Sequence, residues 1–243
     1  MLAVKLFVLC VSVAGFSDAA HLPSYIKPCS KDAPKEQLSA CIMAQAKAAL
    51  PLFTKGVPEL NIDTMDPLAL DPFTANAGTF KLREKNALLR GLSTMEVREA
   101  KWDLEKNTGQ MKIFGNLTLN SDYEADGRVL VIPITGSGKL SVQMYNTEIS
   151  LKYKIKRVKG PDGVEHLATY DLKPTQTYGH VHLHLSNILG GAAIGDTINQ
   201  VLNDNWRDLF RDVGPSHTKS ISHKVHEYIN KLYSQVPFDE LFV

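Results

Sequence analysis

Met111-Lys112-Ile113-Phe114-Gly115-Asn116-Leu117-Thr118-Leu119 is the stretch whose reading decides the fold. Its apolar and polar residues alternate with a period of two, so Met111, Ile113, Leu117 and Leu119 share one strand face and Lys112, Phe114, Asn116 and Thr118 the other. The same period begins at about residue 78 and holds through most of the next hundred or so residues. Val129, Leu130, Val131, Ile132 and Ile134 read as a nearly continuous apolar strand closed by Gly136 and Gly138. Leu140, Val142 and Met144 occupy even positions, whereas Ile149, Leu151, Tyr153 and Ile155 occupy odd ones. A bulge or bend between Tyr145 and Glu148 reconciles the two sets. Pro161-Asp162-Gly163 predicts a hairpin turn, with the chain returning through Leu167 to Leu172. The middle of the chain is therefore expected to form long antiparallel strands joined by short turns.

Helical periods flank the sheet. Leu38, Cys41, Ile42, Ala46, Ala49 and Leu50 recur at three and four residues, starting near Asp32 or Pro34, with Pro51 marking the end. Gly56, Pro58 and Pro67 punctuate a loop that follows. Near the C-terminus, Ile194, Ile198, Val201, Leu202, Leu209, Phe210 and Val213 make one stripe, and Ile221, Val225, Tyr228, Ile229 and Leu232 another. Gly214-Pro215 is expected to separate or kink them. The class is α+β, and the simplest burial for one large sheet and a long apolar helix is for the sheet to wrap the helix.

The first 19 residues read as a secretion signal. Lys5 precedes an apolar run from Leu6 to Phe16, and Ala19 and Ala20 offer small residues for cleavage. The run is short of the ~20 residues a membrane anchor needs. Residues 20–243 are expected to form a single domain. Cys10 falls inside the signal, leaving Cys29 and Cys41, an even count that suits an oxidising compartment. Two cysteines cannot complete a four-ligand zinc site, so a disulfide is the favoured reading, and closing so short a loop contributes about 3 kcal/mol. Lys and Arg total 27 against 26 Asp and Glu, so no strong field draws nucleic acid or anionic membrane to the chain.

Motifs for chemistry are few. His180, His182 and His184 alternate on one strand face, a spacing that can bring two imidazoles to a metal, yet no acidic or cysteine partner lies nearby and a polar solvent face explains them equally. No physiological metal or cofactor is expected. Thr135-Gly136-Ser137-Gly138-Lys139-Leu140-Ser141 lacks the first glycine of a phosphate loop, whose place falls on Pro133, and it opens no helix. No nucleophile elbow or spare thiol suggests a hydrolase. Asn116-Leu117-Thr118 is a glycosylation acceptor pattern whose Asn faces away from the apolar side.

The order of short motifs resembles the insect haemolymph juvenile-hormone-binding proteins and the related takeout proteins. The motifs are Leu22-Pro23, Pro28-Cys29, Cys41, Lys55-Gly56-Val57-Pro58-Glu59-Leu60, Asp66-Pro67-Leu68, Gly91-Leu92, Tyr123 with Gly127, Pro133-Ile134, Gly136-Ser137-Gly138, Asn146, Asn187-Ile188-Leu189, Leu202-Asn203-Asp204-Asn205-Trp206, and Pro237 with Leu241. The resemblance implies a long helix wrapped by a highly curved antiparallel sheet around an elongated apolar tunnel that holds a lipid-like ligand. No cysteine follows Cys41, whereas the hormone carriers have a second disulfide, which places the chain nearer the takeout branch.

On that reading Tyr153 shares an inward face with Leu151 and Ile155, so its hydroxyl would meet an oxygen on a bound isoprenoid or fatty chain, or else a backbone carbonyl or water within a plain core. Val129, Val131, Leu140, Val142, Met144, Ile113 and Phe80, with Leu52 and Phe53 after the first helix, are further candidates to line the tunnel. The function implied is a secreted, monomeric, non-enzymatic carrier of a terpenoid, fatty acid or related lipid, with a cell-surface receptor as an open partner. The rivals are a protein-interaction module presenting its helical tail and a lipid-modifying hydrolase.

Overall fold

The structure, a computed structural model, describes residues 20–129, 132–161, 163–189 and 192–243. The expected signal at 1–19, Leu130, Val131 and the central residue of the Pro161-Asp162-Gly163 turn lie outside the described residues. Helix α1 (Lys35–Phe53) precedes strands β1 (Leu68–Leu70), β2 (Phe73–Ala77), β3 (Phe80–Arg90), β4 (Glu96–Asp103), β5 (Thr108–Asp126), β6 (Arg128–Val129), β7 (Ile132–Pro133), β8 (Gly136–Lys159), β9 (Glu165–Thr177) and β10 (His180–Leu185). Helices α2 (Ala192–Asp204), α3 (Trp206–Gln235) and α4 (Phe238–Leu241) close the chain.

β5 and β8 pair antiparallel from Thr108↔Lys154 to Ala125↔Gly136 and form the spine of the sheet, with β3 and β4 on one side and β9 and β10 on the other. α3 touches β1 and β2 near one edge and β9 and β10 at the other. A single helix reaches both edges only if the sheet curls around it. The helix supplies a matching stripe, with Phe210, Val213, His217, Ile221, Tyr228 and Leu232 all buried at helical spacing.

The bend expected between Tyr145 and Glu148 is present. The β5–β8 register slips between Gly115↔Thr147 and Leu117↔Met144, leaving two residues of β8 opposite one of β5. Asn146 takes a left-handed φ of 49° there, and its N–H donates to Asn116 Oδ1 at 2.9 Å. Asparagine tolerates this conformation better than most residues, which fits its place in a bulge. At the free edge of β10, Asn199 and Asn203 of α2 act as a substitute strand. Each carboxamide accepts from one N–H and donates to one C=O, Asn203 at Leu183 and Asn199 at Leu185. That satisfies an edge otherwise open to another chain.

Three element boundaries differ from the sequence reading. The run around Val129 to Ile134 is not one strand, because β6 and β7 pair with each other (Arg128↔Pro133, Val129↔Ile132) and double the chain back. α1 continues through Pro51 to Phe53, since a proline already has a helical φ and forfeits only its own N–H. Thr54 then closes the helix, its N–H and its hydroxyl both donating to Leu50 O. The C-terminal break falls at Asn205, whose side chain donates to Val201 O at 2.8 Å, and α3 runs unbroken through Gly214-Pro215. Packing from the surrounding sheet outweighs the hydrogen bond lost at Pro215.

The two ends of the chain are tied together. Cys29 N–H donates to Leu241 O at 3.1 Å and Val243 N–H to Cys29 O at 3.0 Å, while a disulfide joins Cys29 to Cys41 on α1. Inside the roll, Glu84 of β3 accepts from His217 Nε2 at 2.7 Å and from Ser121 Oγ at 2.8 Å, and the other ring nitrogen of His217 donates to Val213 O at 3.1 Å. Nδ1 carries the proton that meets the Val213 carbonyl, and a second proton lies between Nε2 and the Glu84 carboxyl, which makes a buried His–Glu pair. Burial alone would lower the His217 pKa, but the charge and hydrogen bond of Glu84 outweigh it and raise it above 6.5. Removing one partner by His217→Gln should cost about 3–5 kcal/mol in denaturant unfolding. Because the folded-state pKa is raised, the contribution is full below about pH 6.5 and is lost as pH rises through the folded value. Wild-type stability relative to His217→Gln should therefore shrink in alkaline buffer, and a gap that widened with pH would contradict the assignment.

Candidate functional site

An apolar cavity of about 200 Å³ lies between α1, strands β4, β5 and β8 and the last turns of α3. The spacing of Ile42, Ala46, Ala49, Leu50 and Phe53 turns one stripe of α1 toward it. β4 contributes Ala100 and Trp102, β5 Met111, and β8 Leu151 and Tyr153 from alternate positions, while α3 adds Ile229, Leu232 and Tyr233. Leu22 and Ile26 from the entering segment and Leu241 and Phe242 from the exit complete the wall. Lys27 and Lys101, both exposed, and the half-buried Gln45 stand at the rim. Gln45 is held there by its Oε1, which accepts from Lys27 N–H at 2.8 Å.

The polar groups inside converge. Trp102 Nε1 donates to the Tyr153 hydroxyl oxygen at 2.7 Å, which leaves the tyrosine proton free for an acceptor, and none is provided by the described residues. Tyr233 packs edge-on to Trp102 with centroids 5.5 Å apart, and Phe242 covers another side of the indole at 5.1 Å. Burial pushes the Tyr153 phenol up to about 12, with the Trp102 N–H pulling slightly the other way. Burial and the neighbouring Tyr153 push Tyr233 well above its usual value. Both phenols stay neutral at physiological pH and act as hydrogen-bond donors.

A second, smaller cavity of about 30 Å³ lies farther along the roll. It is lined by Phe80, Leu82, Val129, Ile134, Leu140, Val142, Leu183 and Leu185 from the strands and by Leu202, Leu209, Phe210, Val213 and His217 from the helices. The two cavities share no lining residue.

The sequence candidates fall into distinct groups. Tyr153, Leu151 and Phe53 line the larger cavity, and Phe80, Val129, Leu140 and Val142 the smaller. Ile113 and Met144 line neither and are packed into the core, while Ile155 belongs to a separate cluster with Leu38, Trp102, Leu167 and Phe238. Leu52 is 39% exposed, because continuation of α1 past Pro51 carries it about 100° away from Phe53. Val131 lies outside the described residues. Alternation establishes which face a residue takes; whether its neighbours fill the space beside it is a tertiary matter.

Trp102, Tyr233 and Gly109 were not singled out in the sequence. Gly109 is the cross-strand partner of Tyr153, and a Cβ there would stand 2.2 Å from the Tyr153 ring. The phenol therefore lies over a bare backbone, and the available signal is a glycine within a strand, which marks a close approach. Elsewhere, Asn116 is exposed on β5. His180, His182 and His184 are exposed on β10, with His180 stacked on Tyr145 and edge-on to Trp206. Among the described residues no group of three or more His, Cys, Asp and Glu could hold a metal ion.

The family described as haemolymph juvenile hormone binding protein matches residues 6–243. The circadian clock-controlled protein daywake of Drosophila melanogaster is 27% identical over 233 residues, covering 90% of this chain and 88% of its own. A Schistocerca gregaria protein titled "Putative beta-carotene-binding protein" is 26% identical over 129 residues, covering 52% of each. The crystal structure of Epiphyas postvittana Takeout 1 superposes with a TM-score of 0.82 at 27% identity, covering 89% of this chain and 99% of that one.

Gly109→Ala should displace the Tyr153 ring and break its hydrogen bond with Trp102. The expected readout is a changed indole emission with a loss of about 1–3 kcal/mol in unfolding, and wild-type emission and stability would show that the ring does not depend on the glycine.

Proposed function

Since the chain belongs to the haemolymph juvenile hormone binding protein family, we propose that it is a secreted carrier that holds one small hydrophobic molecule, a terpenoid, fatty acid or related lipid, against α1 and α3. The observation that carries this reading is the larger cavity, whose wall is chiefly apolar, with a donor-bearing cluster at Tyr153 and Tyr233 and with Lys27, Gln45, Lys101 and Gln110 as its other polar residues. Such a site suits an oily body with an oxygen at one end. Binding is driven by taking ligand surface out of water at about 25 cal/mol per Å². A chain-like ligand burying several hundred Å² reaches roughly micromolar affinity after association costs.

The non-enzymatic reading draws support from the same groups, since phenols held neutral by burial are poor nucleophiles and good hydrogen-bond donors. The disulfide supports export, and the proposal includes a signal at residues 1–19, cleaved after Ala19 or Ala20, followed by a single domain over 20–243 that acts as a monomer. The similarity to the Schistocerca gregaria protein titled "Putative beta-carotene-binding protein" lends further weight to an elongated apolar guest.

Displacement of an environment-sensitive naphthylamine probe by lipids tests the carrier reading. Ala46→Trp, which fills the cavity from α1, should lower probe affinity at least about tenfold with the fold retained by circular dichroism. Full-strength binding in that variant would place the ligand elsewhere. Tyr153→Phe should weaken an oxygen-bearing ligand by about 1 kcal/mol while sparing a pure hydrocarbon of the same length. Equal losses for both would remove Tyr153 from ligand recognition.

A further inference from the structure

The interior between the two cavities carries an unexplained polar patch. Gln176 of β9 faces α3, where its Oε1 accepts from Thr218 Oγ1 at 2.9 Å, but its buried Nε2 donates to nothing among the described residues. Just beyond β9, Tyr178 stands edge-on to Phe210 at 5.4 Å, and its hydroxyl would be 3.8 Å from a Cβ on Gly214, one turn before Thr218. That hydroxyl is buried beside Thr218, its one polar neighbour, whose own proton goes to Gln176, and it lacks a well-formed hydrogen bond among the described residues. Thr147 of β8, wholly buried, occupies the position opposite Tyr178, one step past the pair Glu148↔Thr177, and its Oγ1 is a second unpartnered group. Buried polar atoms almost always find partners, so two orphans and a poorly satisfied phenol on neighbouring positions point to a missing partner.

Both long elements place this patch between the cavities. On β8, Leu151 and Tyr153 line the larger and Leu140 and Val142 the smaller, with Thr147 between them. On α3, Ile229, Leu232 and Tyr233 line the larger and Phe210, Val213 and His217 the smaller, and Thr218 follows directly after His217. Six residues of strand separate Tyr153 from Thr147, about 20 Å. Fifteen residues of helix separate Tyr233 from Thr218, about 22 Å. The two rulers agree on the distance from the Tyr153–Tyr233 cluster.

The chemistry of the orphans selects the guest. An amide NH₂ can only donate, and each hydroxyl has a proton to give, so the complementary atom is an acceptor. We propose that Gln176, Tyr178 and Thr147 form a second polar station that takes a carbonyl or ester oxygen carried on the apolar guest about 20 Å from the group that meets Tyr153 and Tyr233. The guest is then an elongated lipid oxygenated at two separated places, and it extends from the larger cavity toward the smaller. Met144, the core residue next to the β8 bulge, is a flexible side chain suited to yielding as that path fills. This proposal rests on the carrier reading and deepens it.

The test measures binding of stearic acid and of the set of oxostearic acids in which a ketone is moved along the chain. Wild-type protein should bind stearic acid and should show a peak of about fivefold tighter binding for ketones toward the methyl end. Gln176→Met and Tyr178→Phe should flatten that peak and leave stearic acid unchanged. The ligand-free melting temperature of Tyr178→Phe should equal or exceed wild type, whereas Gln176→Met also removes the acceptor of Thr218 Oγ1 and should melt somewhat lower. Binding of stearic acid with no dependence on ketone position overturns the second station alone. Equal loss of stearic acid and ketone binding in the variants, or a fall in the melting temperature of Tyr178→Phe, assigns these residues a structural role and also overturns it. If no member of the series binds, the carrier reading fails and this proposal with it.

Discussion

The antiparallel pairing of β5 with β8 is the interaction on which the rest of the molecule depends. Strands of 19 and 24 residues stay hydrogen-bonded from Thr108↔Lys154 to Ala125↔Gly136, with one slip at the Asn146 bulge. Drawn straight, β8 would span about 80 Å, while α3 with its 30 residues spans about 45 Å. A ribbon longer than the central helix must coil to bury its apolar face, and the right-handed twist of strands supplies the direction. The bulge adds the bend at mid-length. The inward positions of β5 and β8 are thereby turned toward the helices, α3 along most of the roll and α1 and α4 near its end.

Closure of the ends follows from that geometry. At the end that holds the larger cavity, α1 packs against β4 and forms one wall. α1 is held by the Cys29–Cys41 disulfide and by the pairing of the Cys29 segment with the last residues of the chain. Trp102, Tyr233 and Phe242 meet beneath this clasp, so the aromatic cluster beside Tyr153 depends on residues from β4, α3 and the C-terminus at once. At the other end, α2 uses Asn199 and Asn203 to complete the β10 edge, which holds Leu202 over the smaller cavity. The covers at both ends are helices, and the site between them is shaped by how they seat.

Sequence patterns conveyed the architecture because alternation and helical periodicity are local. Residues 111–119 show the face of β5 directly, the parity change between Met144 and Ile149 locates the bulge, and Val181, Leu183 and Leu185 identify the inward side of β10. Pro51 and Pro215 misled because proline forbids a hydrogen bond, not a helical φ, and tertiary contacts made up the difference. The cavity wall was legible only in part. Leu151 and Ile155 share a strand face with Tyr153, yet Leu151 meets open space and Ile155 meets Leu167 and Phe238, a distinction set by α1 and α4 from distant sequence. Trp102 and Tyr233 lie 131 residues apart, and no spacing rule joins them.

An interior void is itself evidence about use. Close packing is the norm in protein cores, and here about 200 Å³ lined chiefly by apolar side chains is left unfilled. Larger side chains at Ala46, Ala49 or Ala100 would close it without polar penalty, and all three face it. The Tyr153 proton without an acceptor, the orphaned atoms of Thr147 and Gln176 and the poorly satisfied Tyr178 phenol add to the same deficit. Departures from good packing and from hydrogen-bond satisfaction tend to coincide at functional sites. Here they coincide along one line beside α3, and a single oxygenated apolar guest would relieve both kinds at once. A helix-presenting interaction module needs neither, since its useful surface faces outward and its interior could be filled.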